Sequence, residues 1–181
     1  AETKTENATL SSLLKKYADS SAKVTIVAPY GVNDITLGTS ATIGKNVTLV
    51  LPCTQGQKGL DKASVNPDLS EGTSPTLVSS LVINNKAKLT VKGAVVVSGQ
   101  TGKGGEVHNV VTGNYGELKV ESGASIVVAN GGKFYNYGYV TGAGKMTAQK
   151  GAEIKDLYQI ARFIGGSPLL GLFGLDGSDP I

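Results

Sequence analysis

The chain has 181 residues, of which 40% are hydrophobic, 6% are aromatic and 17% are charged. Its net charge is +3, but the lysines are scattered and Arg162 is the only arginine, so the sequence lacks the basic cluster that binds nucleic acid. The single cysteine, Cys53, excludes an intrachain disulfide and a cysteine-rich zinc site, and no apolar run is long enough to span a membrane. The first residues lack the apolar stretch of a signal peptide. The mature part of an exported protein would lack that stretch too.

The first predicted element is a helix over residues 9–18, which we expect to cap a core. Four apolar residues follow the i, i+3, i+4, i+7 spacing of one helix face: Leu10, Leu13, Leu14 and Tyr17. From 23 to 52 the period changes to two, in runs such as "KVTIVAP" and "NVTLVLP" bounded by Gly, Asn and Pro. This pattern predicts the first strands, each about three to five residues long and joined by tight turns.

Residues 53–75 contain many turn-forming residues and few core candidates, which predicts an excursion over the surface. Cys53, directly after an apolar run, is predicted to be a small buried hydrophobic residue. The acidic run "DLSEG" within this segment lacks the EF-hand spacing, so we interpret it as a solvated loop and predict no metal site.

The sequence repeats itself over residues 76–155. Gly-Ala pairs recur at 93–94, 123–124 and 151–152, between short runs of alternating apolar and polar residues. Self-similarity at this length indicates a solenoid, and the period of two excludes helical repeats. The pattern therefore predicts one domain over 1–181 that is a parallel β-helix with a short N-terminal helix.

The C-terminal part, 156–181, has a different composition. "DLYQIARFIGG" fits a helix and also a last strand, with the strand slightly favoured. Residues 167–181 are apolar and Gly-rich, so we expect them to cover the end of the core or to contact a neighbouring domain or a second copy of the chain.

The helix, the runs "VTIVAP" and "NVTLVLP", and the later runs "INNKAKLTV" and "GGKFYNYGYVTGAG" together resemble the pectate-lyase-like right-handed β-helix superfamily over about residues 9–154. The resemblance is closest to bacterial cell-surface and adhesin-like members. It implies an all-β, single-stranded right-handed parallel β-helix and an extracellular or cell-surface location. Enzymes of this superfamily are mainly polysaccharide lyases and hydrolases with acidic clusters, and such residues are scarce here.

Few residues suit catalysis, and we predict neither catalytic residues nor a cofactor. Glu117 and Glu121 are four apart, as a carboxylate pair on one strand face would be, but an outward face of alternating charge explains them better. His108 is the only histidine and is interpreted as structural. The run 98–106, "SGQTGKGGE", departs from the phosphate-loop pattern at two positions, so we predict a glycine-rich corner instead.

The run "KFYNYGYV" places tyrosines at every second position, from Tyr135 through Tyr137 to Tyr139. Alignment with "NYGELKV" turns four residues toward the core: Phe134, Asn136, Gly138 and Val140. The three tyrosines then point outward, together with Tyr115 of the preceding unit. An outward aromatic row can stack on sugar rings or pack on a partner protein, although tyrosine is also simply common on exposed strands.

These observations predict a non-enzymatic, secreted or cell-surface bacterial module for adhesion, for binding a glycan or protein of the host or of its own surface, or for structural spacing. The alternative is a carbohydrate-active enzyme, either a polysaccharide lyase or a glycoside hydrolase. Ice binding, the third hypothesis, needs one flat array of threonines, and the irregular spacing of four candidates disfavours it: Thr25, Thr36, Thr42 and Thr48.

Overall fold

The fold is taken from a computed structural model, which describes residues 2–3, 7–59, 75–101, 111–156 and 163–164. The described residues form one α-helix, α1 (Asn7–Tyr17), and strands that belong to three sheets. Sheet A contains, in pairing order, β1 (Glu2–Thr3), β2 (Val24–Val27), β5 (Val47–Leu51), β8 (Ala94–Val97), β12 (Lys133–Asn136) and β15 (Glu153–Asp156). Sheet B contains β3 (Ile35–Leu37), β6 (Thr76–Ile83), β10 (Val111–Val120) and β13 (Tyr139–Thr141), with β9 (Gly99–Thr101) paired to β10. Sheet C contains β4 (Ala41–Ile43), β7 (Lys88–Val91), β11 (Ser125–Val128), β14 (Lys145–Ala148) and β16 (Phe163–Ile164).

This arrangement corrects the prediction of an all-β, single-stranded right-handed parallel β-helix. The strands form three separate sheets, and sheet B is mixed because β9 pairs antiparallel with β10 while the other described pairs are parallel. Strands β6 and β10 have 8 and 10 residues, whereas the 11-residue helix agrees with the predicted N-terminal helix. The reason is physical: a period of two identifies the buried face of a strand, but parallel and antiparallel strands share it.

One aliphatic core lies between the three sheets. Neighbouring strands pair in register, so that equivalent residues stack; in sheet A this stack contains Ile26, Leu49, Val95, Phe134 and Ile154. Each of these side chains is buried. Because parallel strands are about 4.8 Å apart, stacked Val, Leu and Ile side chains fill the interior without large aromatic rings.

Helix α1 packs against β3 and β4 through the face predicted from its spacing. Leu10 and Leu14 are buried in the core, and Leu13 and Tyr17 pack on it. Two lysines in the last turn face the negative end of the helix dipole, a favourable position. The helix thereby covers apolar side chains at the start of the stacked strands.

Buried polar side chains fix the chain where it leaves β5. Gln57 accepts a hydrogen bond from the backbone N–H of Cys53 (2.9 Å) and donates to the Ser98 hydroxyl (2.5 Å). The Ser79 hydroxyl donates to the Pro52 carbonyl (2.8 Å). Cys53 is buried, which confirms its prediction as a small core residue. These bonds hold the segment that follows β5 against β6 and β8 at one corner of the fold.

Several predictions concern residues that are not described. Residues 60–74 of the predicted excursion, His108 with most of the run 98–106, and the tail beyond Ile164 lie outside the described residues. Within the C-terminal part, Phe163–Ile164 is a strand that pairs with β14. The four threonines of the ice-binding hypothesis are divided among the three sheets, so they do not form one flat array.

Candidate ligand-binding site

The four tyrosines predicted to bind a ligand lie on two sheets. Tyr135 belongs to β12 of sheet A, whereas Tyr139 on β13 and Tyr115 on β10 belong to sheet B. Tyr137 lies in the bend between β12 and β13. All four are half-buried. The chain turns from one sheet to the next within "YNYGY", so the tyrosines do not form a single flat row.

The predicted register of this run is correct. Phe134, Asn136, Gly138 and Val140 are buried, alternating with the half-buried tyrosines. The Asn136 side-chain oxygen accepts a hydrogen bond from the Gly138 N–H (2.9 Å), which closes the bend. The turn therefore has a defined geometry, and it directs Tyr135 and Tyr139 onto different faces of the molecule.

Tyr115 and Tyr139 form an aromatic pair on sheet B. Their ring centroids are 4.6 Å apart and the ring planes meet at 81°, an edge-to-face arrangement. The register explains the contact, since Tyr139 pairs with Glu117 and Tyr115 lies two residues earlier on the same strand. Such a pair contributes about 0.5–1.5 kcal/mol beyond the burial of its area. The two rings thereby form one aromatic cluster on the surface of sheet B, with their planes nearly perpendicular.

Polar groups continue this surface across sheet B. Glu117 accepts a hydrogen bond from the Thr141 hydroxyl (2.6 Å) and is paired in register with Ser80. The Ser80 hydroxyl donates to the Asp34 carboxylate (3.3 Å), and the Asp34 N–H donates back to that hydroxyl. Glu117 therefore lies beside the tyrosine pair, whereas Asp34, at the start of β3, lies two strands further along sheet B and is held by Ser80.

A further tyrosine reaches this face from the connection before β3. The Asn114 side-chain N–H donates to the Tyr30 hydroxyl (3.5 Å), and the Asn114 backbone N–H donates to the Gln100 side chain (2.9 Å). Tyr30 and Val32 are the large hydrophobic residues that the described chain leaves exposed, at 39% and 42%. The Tyr115–Tyr139 pair with Glu117, Asp34 and the Asn114–Tyr30 contact is called the tyrosine face below.

The electrostatics of the tyrosine face favour neutral hydroxyl groups beside carboxylates. Burial, followed by the negative charge of Glu117 and then by Tyr139, raises the pKa of Tyr115 above its ordinary value of 10.0. A tyrosine hydroxyl is a donor at neutral pH in any case, and the raised pKa keeps the Tyr115 hydroxyl protonated further into the alkaline range. The arrangement suits a polar, uncharged ligand better than an anion.

Tyr135 has a different environment on sheet A. Its ring packs against a cluster of buried valines stacked on successive strands, at the end formed by Val96, which is its partner in register; the other members are Val50 and Val27. The Lys155 ammonium lies 5.5 Å from the ring centroid, within the range of a cation–π contact. Burial, the charge of Glu153 and a hydrogen bond to that carboxylate raise the pKa of Tyr135. These contacts all lie on sheet A. Tyr135 therefore does not belong to the tyrosine face, which lies on sheet B.

These raised pKa values predict an alkaline loss of stability. The folded chain holds Tyr135 and Tyr115 protonated to a higher pH than the unfolded chain does, so the free energy of unfolding falls as the pH rises above about 10. Urea unfolding followed by circular dichroism between about pH 8 and pH 11 measures this decline. We expect a shallower decline for Tyr135→Phe, and a slope equal to that of the wild type would contradict the assignment.

Sequence reasoning missed most of the polar residues that surround the tyrosine pair on sheet B. Asp34, Ser80 and Thr141 come from segments far from Tyr115 along the chain, and no motif connects them. For Glu117 and Glu121 the sequence favours an outward face of alternating charge over a carboxylate pair; in the structure Glu117 accepts a hydrogen bond from Thr141, and Glu121 follows the end of β10. Among the described residues, no three His, Cys, Asp or Glu side chains are grouped as metal ligands would be.

Comparison with known proteins identifies no relative: the chain matches no family model, no curated protein and no solved structure at a significant level. The resemblance to the pectate-lyase-like superfamily stays a prediction. In the part of the chain that the structure describes, no helix has the length and apolar character needed to cross a membrane.

Proposed function

We propose that this protein is a non-enzymatic carbohydrate-binding module and that the tyrosine face is its binding site. The carrying observation is the Tyr115–Tyr139 pair, 4.6 Å between centroids, beside the hydrogen-bonded carboxylate of Glu117, with the Asp34 carboxylate two strands further across sheet B. Sugars present apolar C–H faces that stack on aromatic rings and hydroxyl groups that donate to carboxylates. Such a module would serve adhesion at a bacterial cell surface, or after secretion, where glycans are displayed.

The charge of the site supports a neutral sugar as the ligand class. Glu117 and Asp34 would repel the carboxylate or sulfate of an acidic glycan, whereas they accept hydrogen bonds from neutral hydroxyl groups. The half-buried Tyr115 hydroxyl, whose pKa is raised, supplies a donor for a ring or ether oxygen. The ligand would bind along the sheet surface, because Tyr115 and Tyr139 lie on adjacent strands.

Removal of both rings is expected to abolish stacking. In the double variant Tyr115→Ala/Tyr139→Ala, the Kd for a neutral oligosaccharide selected on a glycan array should rise at least about tenfold, which corresponds to about 1.4 kcal/mol. Isothermal titration calorimetry measures this change. Tyr115→Phe/Tyr139→Phe is the matched comparison, because it retains both rings and removes only the hydroxyl groups, so its affinity should fall clearly less than that of the alanine variant.

Two outcomes would contradict the proposal. One is equal affinity of the wild type and the alanine variant, provided both show the same thermal unfolding. The other is an array on which the wild type binds no glycan. Release of reducing or unsaturated sugar ends during the same incubations would instead support the carbohydrate-active enzyme, with Glu117 and Asp34 as the carboxylates to replace.

A further inference from the structure

A concave surface lies where the chain passes from sheet C to sheet A. It has a volume of about 490 Å³. Its charged and polar lining residues are Lys45, Asn46, Lys92, Asn130 and Gln149. We call it the corner groove. It is separate from the tyrosine face, and it draws residues from four successive connections between the two sheets.

The corner groove is built by stacked turns. In three of the connections a backbone N–H donates to the carbonyl three residues earlier: Val47 to Gly44 (2.9 Å), Gly132 to Ala129 (2.8 Å) and Ala152 to Gln149 (3.0 Å). The following strands pair in register, so the turns repeat at the strand spacing of about 4.8 Å. Side chains from different turns are thereby brought next to each other.

The hydrogen bonds orient the amide groups of the corner groove. The Gln149 side-chain oxygen accepts from the Asn130 backbone N–H (3.2 Å), so both hydrogens of its amide nitrogen remain available. The Asn46 side chain donates one N–H to the Ser20 carbonyl (2.8 Å) and retains the other. The Gln149 oxygen thus holds one hydrogen bond that orients the amide, and no described residue accepts from its amide nitrogen, which can donate to a ligand.

Positive charge accumulates at these connections. Four lysines lie in them or within two residues of them: Lys45, Lys92, Lys133 and Lys150. Within the same two residues of these connections there is one carboxylate, that of Glu153, and it accepts a hydrogen bond from Tyr135. Lys45 and Lys92 are exposed and make no ion pair with another described residue. Two ammonium groups and several amide N–H groups therefore surround one concave surface.

We propose that the corner groove binds a tetrahedral oxyanion, a sulfate or a phosphate group, either as the free ion or as an ester on a larger ligand. Lysine ammonium groups bind phosphate and sulfate oxygens as point charges, and the described lining of the groove supplies two of them together with amide N–H donors. The groove volume of about 490 Å³ is many times the roughly 30 Å³ that one water molecule occupies in the liquid. A small anion would therefore leave room for the body of an ester. This inference does not depend on the tyrosine face.

The test is an amide-resolved NMR titration of the full chain at constant ionic strength. Sodium sulfate, a hexose sulfate and the unsulfated hexose are added in separate experiments against a sodium chloride background. We expect saturable shifts at the backbone amides of Lys92, Gly93, Asn130 and Gly131 with sulfate. Saturation by both sodium sulfate and the hexose sulfate supports an ester ligand. Saturation by sodium sulfate alone limits the site to free anions.

Matched charge variants distinguish the groove from general attraction to a basic protein. Lys45→Gln/Lys92→Gln should weaken sulfate binding at least about tenfold. Lys88→Gln/Lys145→Gln removes the same charge from the exposed face of sheet C and should change binding less than about twofold. Equal weakening by both pairs, absence of saturation in the wild type, or equal shifts with the unsulfated hexose would overturn the proposal.

Discussion

Replacement of Phe134 by alanine is expected to lower the free energy of unfolding by about 3–5 kcal/mol. Phe134 is fully buried and is among the largest of the buried side chains. It lies in the stack of sheet A between Val95 and Ile154. The in-register backbones on both sides hydrogen-bond to β12, so they resist collapse into the space that the ring leaves.

Urea unfolding monitored by circular dichroism measures this loss, with an unchanged m-value as the sign that both end states are comparable. Phe134→Leu is the control, since it retains most of the apolar volume and should cost less than about 1.5 kcal/mol. A loss below about 1 kcal/mol for the alanine variant would show that the surrounding strands do close over the site.

Replacement of Gly99 by alanine is expected to cost about 3 kcal/mol and to displace the bend that carries Tyr137. A Cβ at this position would overlap the Tyr137 carbonyl group and approach Gly138 Cα to 2.9 Å. These obstacles are backbone atoms, so no rotamer change relieves the clash. The same bend connects Tyr135 to Tyr139, and the Tyr115–Tyr139 contact should loosen as well.

Thermal unfolding and the NMR signals of the Tyr115 and Tyr139 rings report the two effects separately. Gly59→Ala is the matched control, because a Cβ there meets no atom of a described residue within 4 Å and the residue does not need a positive φ. The control should stay within about 0.5 kcal/mol of the wild type. Similar stabilities for the two variants would mean that β9 can move away from the bend at little cost.

The buried face of most strands was predictable because alternation depends on local chemistry. The run "KFYNYGYV" placed Phe134, Asn136 and Val140 in the core, and burial agrees. The helix was predictable from the spacing of Leu10 and Leu14, which are buried. In each case a run of neighbouring residues carries the full signal, and no long-range partner is needed.

The sheet arrangement and the site depend on pairings that alternation does not encode. Nothing in "SGQTG" shows that β9 runs antiparallel to β10, since either direction gives the same buried face. Likewise, the contact of Asp34 with Ser80 spans 46 residues and that of Glu117 with Thr141 spans 24. The tyrosines were recognised by type, but their division between sheets A and B follows from a bend whose position the spacing alone does not reveal.

The distribution of tyrosines gives the protein a built-in optical signal. The chain has 7 tyrosines and no tryptophan, so its near-ultraviolet absorbance and emission come chiefly from tyrosine. Three of them belong to the tyrosine face: Tyr30, Tyr115 and Tyr139. A sugar that covers these rings would change their emission without an attached dye, whereas an anion in the corner groove would leave it nearly constant. Occupancy of the two surfaces is therefore separable by spectroscopy on the unlabelled chain.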